Sequence, residues 1–191
     1  MNLVHLKPSD YLTSTWSGGT TTQVGIAPAG AVYADRDFLW RISSATVDLD
    51  VSDFTALPDY DRLIATLEGV IDVTHNDGPV IHLASYHVHA FDGGWNTRSV
   101  GRCTDFNLMT RKGQCRGELD ALIVTADAPA DFVLQNVTDA VIYCAEGSVQ
   151  VKTQDQSADL LSAESVMLHD VEAAQFTITG CGKLMIAKTY Y

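Results

Sequence analysis

Apolar and polar positions alternate with a period of two along short stretches of this chain. The segments 38–46, 63–68, 70–74, 88–91, 140–145, 148–153 and 175–178 are rich in β-branched and aromatic residues, the types that fit a pleated, half-buried surface. Turn-forming residues punctuate them every eight to twelve positions, as in Asn76-Asp77-Gly78-Pro79 and Asp92-Gly93-Gly94. Long helical periodicity is absent. The pattern predicts an all-β protein, a sandwich or a barrel.

The same pattern occurs twice. A shift of 78 positions lays Leu63-Ile64-Ala65-Thr66-Leu67-Glu68-Gly69-Val70-Ile71-Asp72-Val73 on Val141-Ile142-Tyr143-Cys144-Ala145-Glu146-Gly147-Ser148-Val149-Gln150-Val151 without a gap. Further on, Leu83 falls on Leu161, Asp92 on Asp170, and Phe106-Asn107-Leu108 on Leu184-Met185-Ile186. Each copy reads as an apolar strand, a Glu-Gly turn, a second strand, a polar hairpin, a strand ending near Asp and a closing strand. Small jelly-roll barrels have that grammar, so the expectation is two barrels in one chain; chance similarity between two Val-rich hairpins is the alternative. Residues 1–112 are assigned to the first barrel and 113–191 to the second, with Gly113 and Gly117 breaking the pattern between them. Exchange of early strands between the barrels is left open.

Composition narrows the classes. The chain has 191 residues, 46% hydrophobic and 19% charged, enough apolar surface for a sizeable core. Its formal charge of −12 and the lack of a dense Lys/Arg run argue against nucleic acid as a partner. No apolar run reaches the roughly 20 residues of a membrane helix, and no signal-peptide pattern precedes the first strand, so a cytoplasmic protein with no membrane partner is expected. Cys103, Cys115, Cys144 and Cys181 show no Cys-x-x-Cys spacing, which disfavours a zinc ribbon or redox motif. No G-x-S-x-G elbow, Walker loop or G-x-G-x-x-G follows a strand.

Four clusters carry candidate chemistry. Trp16-Ser17-Gly18-Gly19-Thr20-Thr21-Thr22-Gln23 joins an aromatic to two glycines that admit a close approach and to hydroxyls that donate to an anion; an ordinary turn opening a Thr-rich strand reads the same way. In Arg36-Asp37-Phe38-Leu39-Trp40-Arg41-Ile42-Ser43-Ser44-Ala45, alternation places Trp40 and Ile42 on one strand face, and Leu39, Arg41 and Ser43 on the other. An arginine among apolar neighbours is either paired with a buried aspartate or aimed at a ligand. Asp59-Tyr60-Asp61-Arg62 leads into the first Glu-Gly turn. Asp105-Phe106-Asn107-Leu108-Met109-Thr110-Arg111 sets Asp105, Asn107 and Met109 against Phe106 and Leu108. A strand whose inward face carries Asp and Asn would line a wet cavity. The alternative is an internal network in which Asp105 and Asp61 pair with Arg41 and Arg62.

These clusters, in this order and with Phe91-Asp92-Gly93 between them, resemble the HutD/Ves family. Trp-x-Gly-Gly-Thr-Thr, Trp-Arg-Ile-Ser-x-Ala, acidic-x-Arg before the Leu-x-Gly turn, and Asp-Phe-Asn-Leu-Met all stand here, over residues 3–112; the remainder matches by architecture. Ser17 followed by only two glycines is closer to the Ves-like branch than to the histidine-operon branch. The resemblance implies a bicupin of the RmlC-like superfamily that holds no metal and no cofactor, with a pocket in the N-terminal barrel for a small metabolite. It also implies a regulatory part in histidine utilisation or in stress response.

Metal-holding cupins combine a His-x-His pair with a Glu seven residues before the turn glycine. Seven residues before Gly69 stands Arg62, a cation that would attract a carboxylate where a metal ligand belongs. His87-Val88-His89 has the spacing of a pair but follows the second hairpin, so His87 and His89 are read as rim or wall residues. The expectation is therefore a small-molecule binding protein. Arg62 and Arg41 would hold a carboxylate, and Asp105, Asn107, Thr20 and Thr21 would fix its polar groups. Gly19 would let the backbone approach, and Trp40 would form an apolar wall or pack the barrel. A metal-free isomerase or hydrolase using His87 or His89 as base, and a structural protein with a filled barrel, are the rivals. A homodimer is left open.

Overall fold

The computed structural model describes residues 3–191. Among them run β1 (Leu3–Leu6), β2 (Leu12–Trp16), β3 (Gly19–Ala27), β4 (Trp40–Val47), β5 (Val51–Asp53), β6 (Tyr60–Glu68), β7 (Ile71–His75), β8 (Ile81–Leu83), β9 (His89–Asp92), β10 (Thr97–Val100), β11 (Cys103–Arg111), β12 (Arg116–Val124), β13 (Ala130–Lys152), β14 (Ser157–Leu161) and β15 (Ser165–Tyr190). Two single 3-10 turns, Pro8–Asp10 and Tyr33–Asp35, are the helical elements seen; no helix is long and apolar enough to cross a membrane among the described residues. The chain is all-β.

Two compact units result: Tyr11–Gly117, and Met1–Asp10 with Glu118–Tyr191. The division falls at Gly117, five residues beyond the boundary assigned from sequence, and β1 pairs antiparallel with β15, Leu3 opposite Leu168. The first strand in the chain thus belongs with its last.

In the Tyr11–Gly117 unit a six-stranded antiparallel sheet, β2-β3-β4-β11-β6-β9, accompanies a four-stranded one, β5-β10-β7-β8. Side chains alternate across each strand, so Val47, Ile64 and Cys103 of the larger sheet meet Ile71, Val73 and Leu83 of the smaller in one apolar cluster, with Phe91. Phe38, Leu57, Tyr60 and Met109 form a second cluster, in which the Phe38 and Tyr60 rings stack 4.3 Å apart. Tyr60 Oη donates to Phe38 O (3.0 Å) and accepts from Arg111 Nη2 (2.9 Å). The later unit orders its strands β1-β15-β13-β14, with β12 also on β15. Ala140 of β13 faces Leu168 on one side and Lys188 on the other, because β15 is long enough to flank β13 twice.

Both copies of the Glu-Gly turn require their glycine. Gly69 (φ +82°) and Gly147 (φ +96°) hold left-handed backbone, and a Cβ there would lie 2.5 Å from Arg102 O and 2.2 Å from Cys181 O. Segments 140–145 and 148–153, predicted as two strands, run on through Gly147 as one, β13. The strand predicted from Val88 begins at His89. Strand β2 escaped the pattern because all five of its residues are exposed; with neither face buried, no alternation marks it.

Candidate functional site

One face of the larger sheet turns polar where the apolar cluster ends. There β4, β11 and β6 present Arg41, Ser43, Ala45, Asp105, Asn107, Met109 and Arg62 to a cavity of about 420 Å³. Trp16, Thr21 and Tyr33 close one side, and the segment Ser52–Thr55 of and after β5 closes another. Larger hollows of about 690 and 590 Å³ occur in the later unit, but their walls carry no buried charged side chain. Chemistry concentrates in the smaller cavity.

Strand register explains the layout. Met109 of β11 stands opposite Arg41 of β4 and Arg62 of β6; Asn107 opposite Ser43 and Ile64; Asp105 opposite Ala45 and Thr66. Every second residue faces the same way, so the three rows share one floor. Thr21 extends the Asp105 row through its pairing with Ala45.

The two arginines differ in their support. Arg41 Nε donates to Gln23 Oε1 (2.9 Å) and its Nη1 to Ser43 Oγ (3.1 Å), while its guanidinium lies 4.2 Å from the Tyr33 ring centre. Arg62 is 6% exposed and sits 5.0 and 5.1 Å from the Phe54 and Phe91 ring centres. Its hydrogen bond among the described residues is a long one, Nη1 to Thr55 O at 3.5 Å, and its Nε is buried with no partner. Burial pulls the Arg62 guanidinium down to about 10, against the opposing pull of the Asp105 charge. Asp105 is pushed up to about 7 by burial, with Arg62 drawing it the other way. No ion pair joins Asp105 to either arginine among the described residues.

Of the residues singled out from sequence, Arg41, Arg62, Asp105, Asn107 and Thr21 line this cavity. Three others do not. Thr20 is exposed on the outer face opposite Thr46. Gly19 pairs with Val47 at the start of β3, where a Cβ would stand 1.8 Å from Thr46 O. Trp40, 2% exposed, precedes Arg41 in β4 and so faces away from it. Asp61 is exposed and points opposite to Arg62, so it is not the partner of a buried arginine. Tyr33 and Phe54, which no sequence pattern marks, also line the cavity, as does Trp16 of the first cluster. Gly18 gives a usable signal for Trp16: a Cβ there would lie 2.2 Å from the indole.

The remaining motifs hold structure. Asp92 Oδ1 accepts from Lys112 Nζ (2.6 Å) and from Gly94 N (2.8 Å); a Cβ on Gly93 would meet Tyr60 O at 2.6 Å. Arg111 donates to Phe38 O (3.1 Å), Arg36 O and Tyr60 Oη. His87 lies outside any strand, exposed, with Nδ1 3.1 Å from Ser85 O. His89 instead meets His75, Nε2 to Nε2 at 2.8 Å, and burial lowers both imidazoles. Neither His87 nor His89 lines the cavity. All four cysteines are free thiols, and no group of three or more His, Cys, Asp or Glu is placed to hold a metal among the described residues.

Comparison with known proteins gives the family and the fold. Protein Ves of Cronobacter sakazakii is 29% identical over 121 residues, 61% of this chain; the match spans 63% of that protein's length. A conserved protein of unknown function from Pseudomonas aeruginosa PAO1 shares the fold at a TM-score of 0.87 with 20% identity, over 100% of both chains. HutD from Pseudomonas fluorescens SBW25 follows at 0.80 and 18%, over 99% of this chain and 98% of that one. The nickel(II) complex of a bacterial pirin from Escherichia coli reaches 0.69 at 8%, over 98% of each; at such identity the likeness concerns the fold alone, which is cupin-like. The HutD family model matches residues 8–186, and this chain belongs to that family.

Proposed function

We propose that this protein is a two-barrel, metal-free, cytoplasmic cupin whose Tyr11–Gly117 unit binds a small carboxylate, with a regulatory rather than catalytic role in amino-acid (histidine) utilisation or stress response. The observation that carries the reading is Arg62: a buried guanidinium in a cavity wall, with Nε unpartnered. A buried cation keeps few of its five donors idle unless something else supplies acceptors. A carboxylate does so with two oxygens matched to the guanidinium fork, and Arg41 adds a second positive charge from across β11. A cavity of about 420 Å³ lies within the range of small-metabolite sites.

Charge-assisted contacts of this type are worth about 1.5–3 kcal/mol. Replacing Arg62 with Ala is expected to weaken binding by roughly tenfold or more. Titration calorimetry with a panel of small carboxylic acids measures it, and equal binding by wild type and Arg62→Ala would sink the assignment.

A further inference from the structure

The cavity floor is polar in a graded way. Its three rows, Arg41–Met109–Arg62, Ser43–Asn107–Ile64 and Ala45–Asp105–Thr66, are two residues apart, about 6.6 Å per step along a strand. Positive charge occupies one end, a primary amide the middle and a carboxyl group the far end. Two of the lining residues hold a buried polar atom without a partner, Arg62 Nε and Asn107 Oδ1. The first is a donor and the second an acceptor; Thr66 Oγ1, a third such atom, belongs to a residue that does not line the cavity. Arg62, Asn107 and Thr66 are at most 6% exposed, so bulk solvent does not serve them.

A plain carboxylate answers the orphan donor of Arg62 but not the orphan acceptor of Asn107. Its oxygens accept from Arg62 and Arg41 but offer nothing to Asn107 Oδ1, and they repel an ionised Asp105. Had Asp105 been placed to neutralise an arginine, direct contact would be favoured in so dry a site, yet the two are held apart along the strand. We propose that the acid held by Arg62 also carries an N–H or O–H group, presented to Asn107 and toward Asp105. The ligand class is then an amino- or hydroxy-substituted carboxylate. This rests on the reading of the cavity as a carboxylate site and adds its second recognition element. Sites built to hydrogen-bond a donor discriminate strongly against the analogue that lacks it, because their buried acceptor is then left unpaired.

The test is calorimetry at pH 8 on matched acids that differ by one donor: succinate, malate and aspartate; propionate, lactate and alanine. Wild type is expected to bind the best donor-bearing acid at least about tenfold more tightly than its plain partner. In Asn107→Leu that advantage falls several-fold; Asn107→Ser serves if the leucine variant does not fold. In Arg62→Ala all members weaken together. Equal binding within each pair by wild type overturns the inference and leaves the carboxylate site standing. An advantage unchanged in both Asn107 variants overturns the role of that amide. Binding of none of the acids removes both the inference and the reading beneath it.

Discussion

Asp105 is where the demands of folding and of the cavity diverge most sharply. Its carboxyl keeps its proton up to about 7 in the folded chain, whereas an unfolded aspartate ionises near 3.9. Between those values the native state binds more protons than the unfolded one, so stability falls as pH rises through this window and levels off above it. The penalty at pH 8 is on the order of 4 kcal/mol. Asp105→Asn removes the titration and keeps the shape. Its stability advantage over wild type is expected to widen by roughly 2–3 kcal/mol between pH 5 and pH 8, as urea unfolding at the two pH values would show. A gap independent of pH would mean that Asp105 is solvated and ionises normally. A group that weakens the fold at neutral pH and has no ion-pair partner among the described residues fits a binding role better than a structural one.

At the scale of elements, the β2–β3 hairpin is set by backbone rather than by side chains. Gly19 (φ +149°) brings β3 so close to β4 that a Cβ would stand 1.8 Å from Thr46 O. Gly19→Ala must push the two strands apart, and a loss of about 2–4 kcal/mol is expected from overpacking and strain, read as a lower urea midpoint. A loss below about 0.5 kcal/mol would show that the hairpin simply shifts outward. The sequence marked this glycine as special but suggested a ligand approaching it; the close neighbour is the chain itself. Alternation in β4 and β11 was legible, and it correctly separated Arg41, Asp105 and Asn107 from Ile42, Phe106 and Leu108. Trp40 and Thr20 belong to the same motifs as Arg41 and Thr21 but to the opposite strand faces, so motif membership alone does not place them at the cavity. Tyr33, in a 3-10 turn, and Phe54, beyond a three-residue strand, have no periodic context to announce them. The His87–His89 spacing does not make a same-face pair for a related reason: two residues apart means one face only inside a strand, and His87 is not in one.

For the molecule as a whole, the repeat predicted two similar halves, but a repeat does not reveal where the first strand goes. Strand β1 pairs with Ser165–Leu168 of β15, Leu3 packs against the core of the later unit, and His5 Nε2 meets Glu164 Oε2 at 2.9 Å. Deleting residues 1–7 would strip the edge beside Val166 and Leu168, both 0% exposed. Burying one Leu-sized side chain contributes about 2 kcal/mol, and the bared edge would invite pairing with other chains. The truncated protein is therefore expected to unfold several degrees earlier by calorimetry and to aggregate more readily on heating. Every residue lining the cavity lies within Tyr11–Gly117, so the carboxylate affinity proposed for it should stay within about twofold of that of the intact chain. Loss of affinity in step with stability would instead mean that the cavity depends on the later unit. The floor of three polar rows would then be shaped by more than the register of β4, β11 and β6.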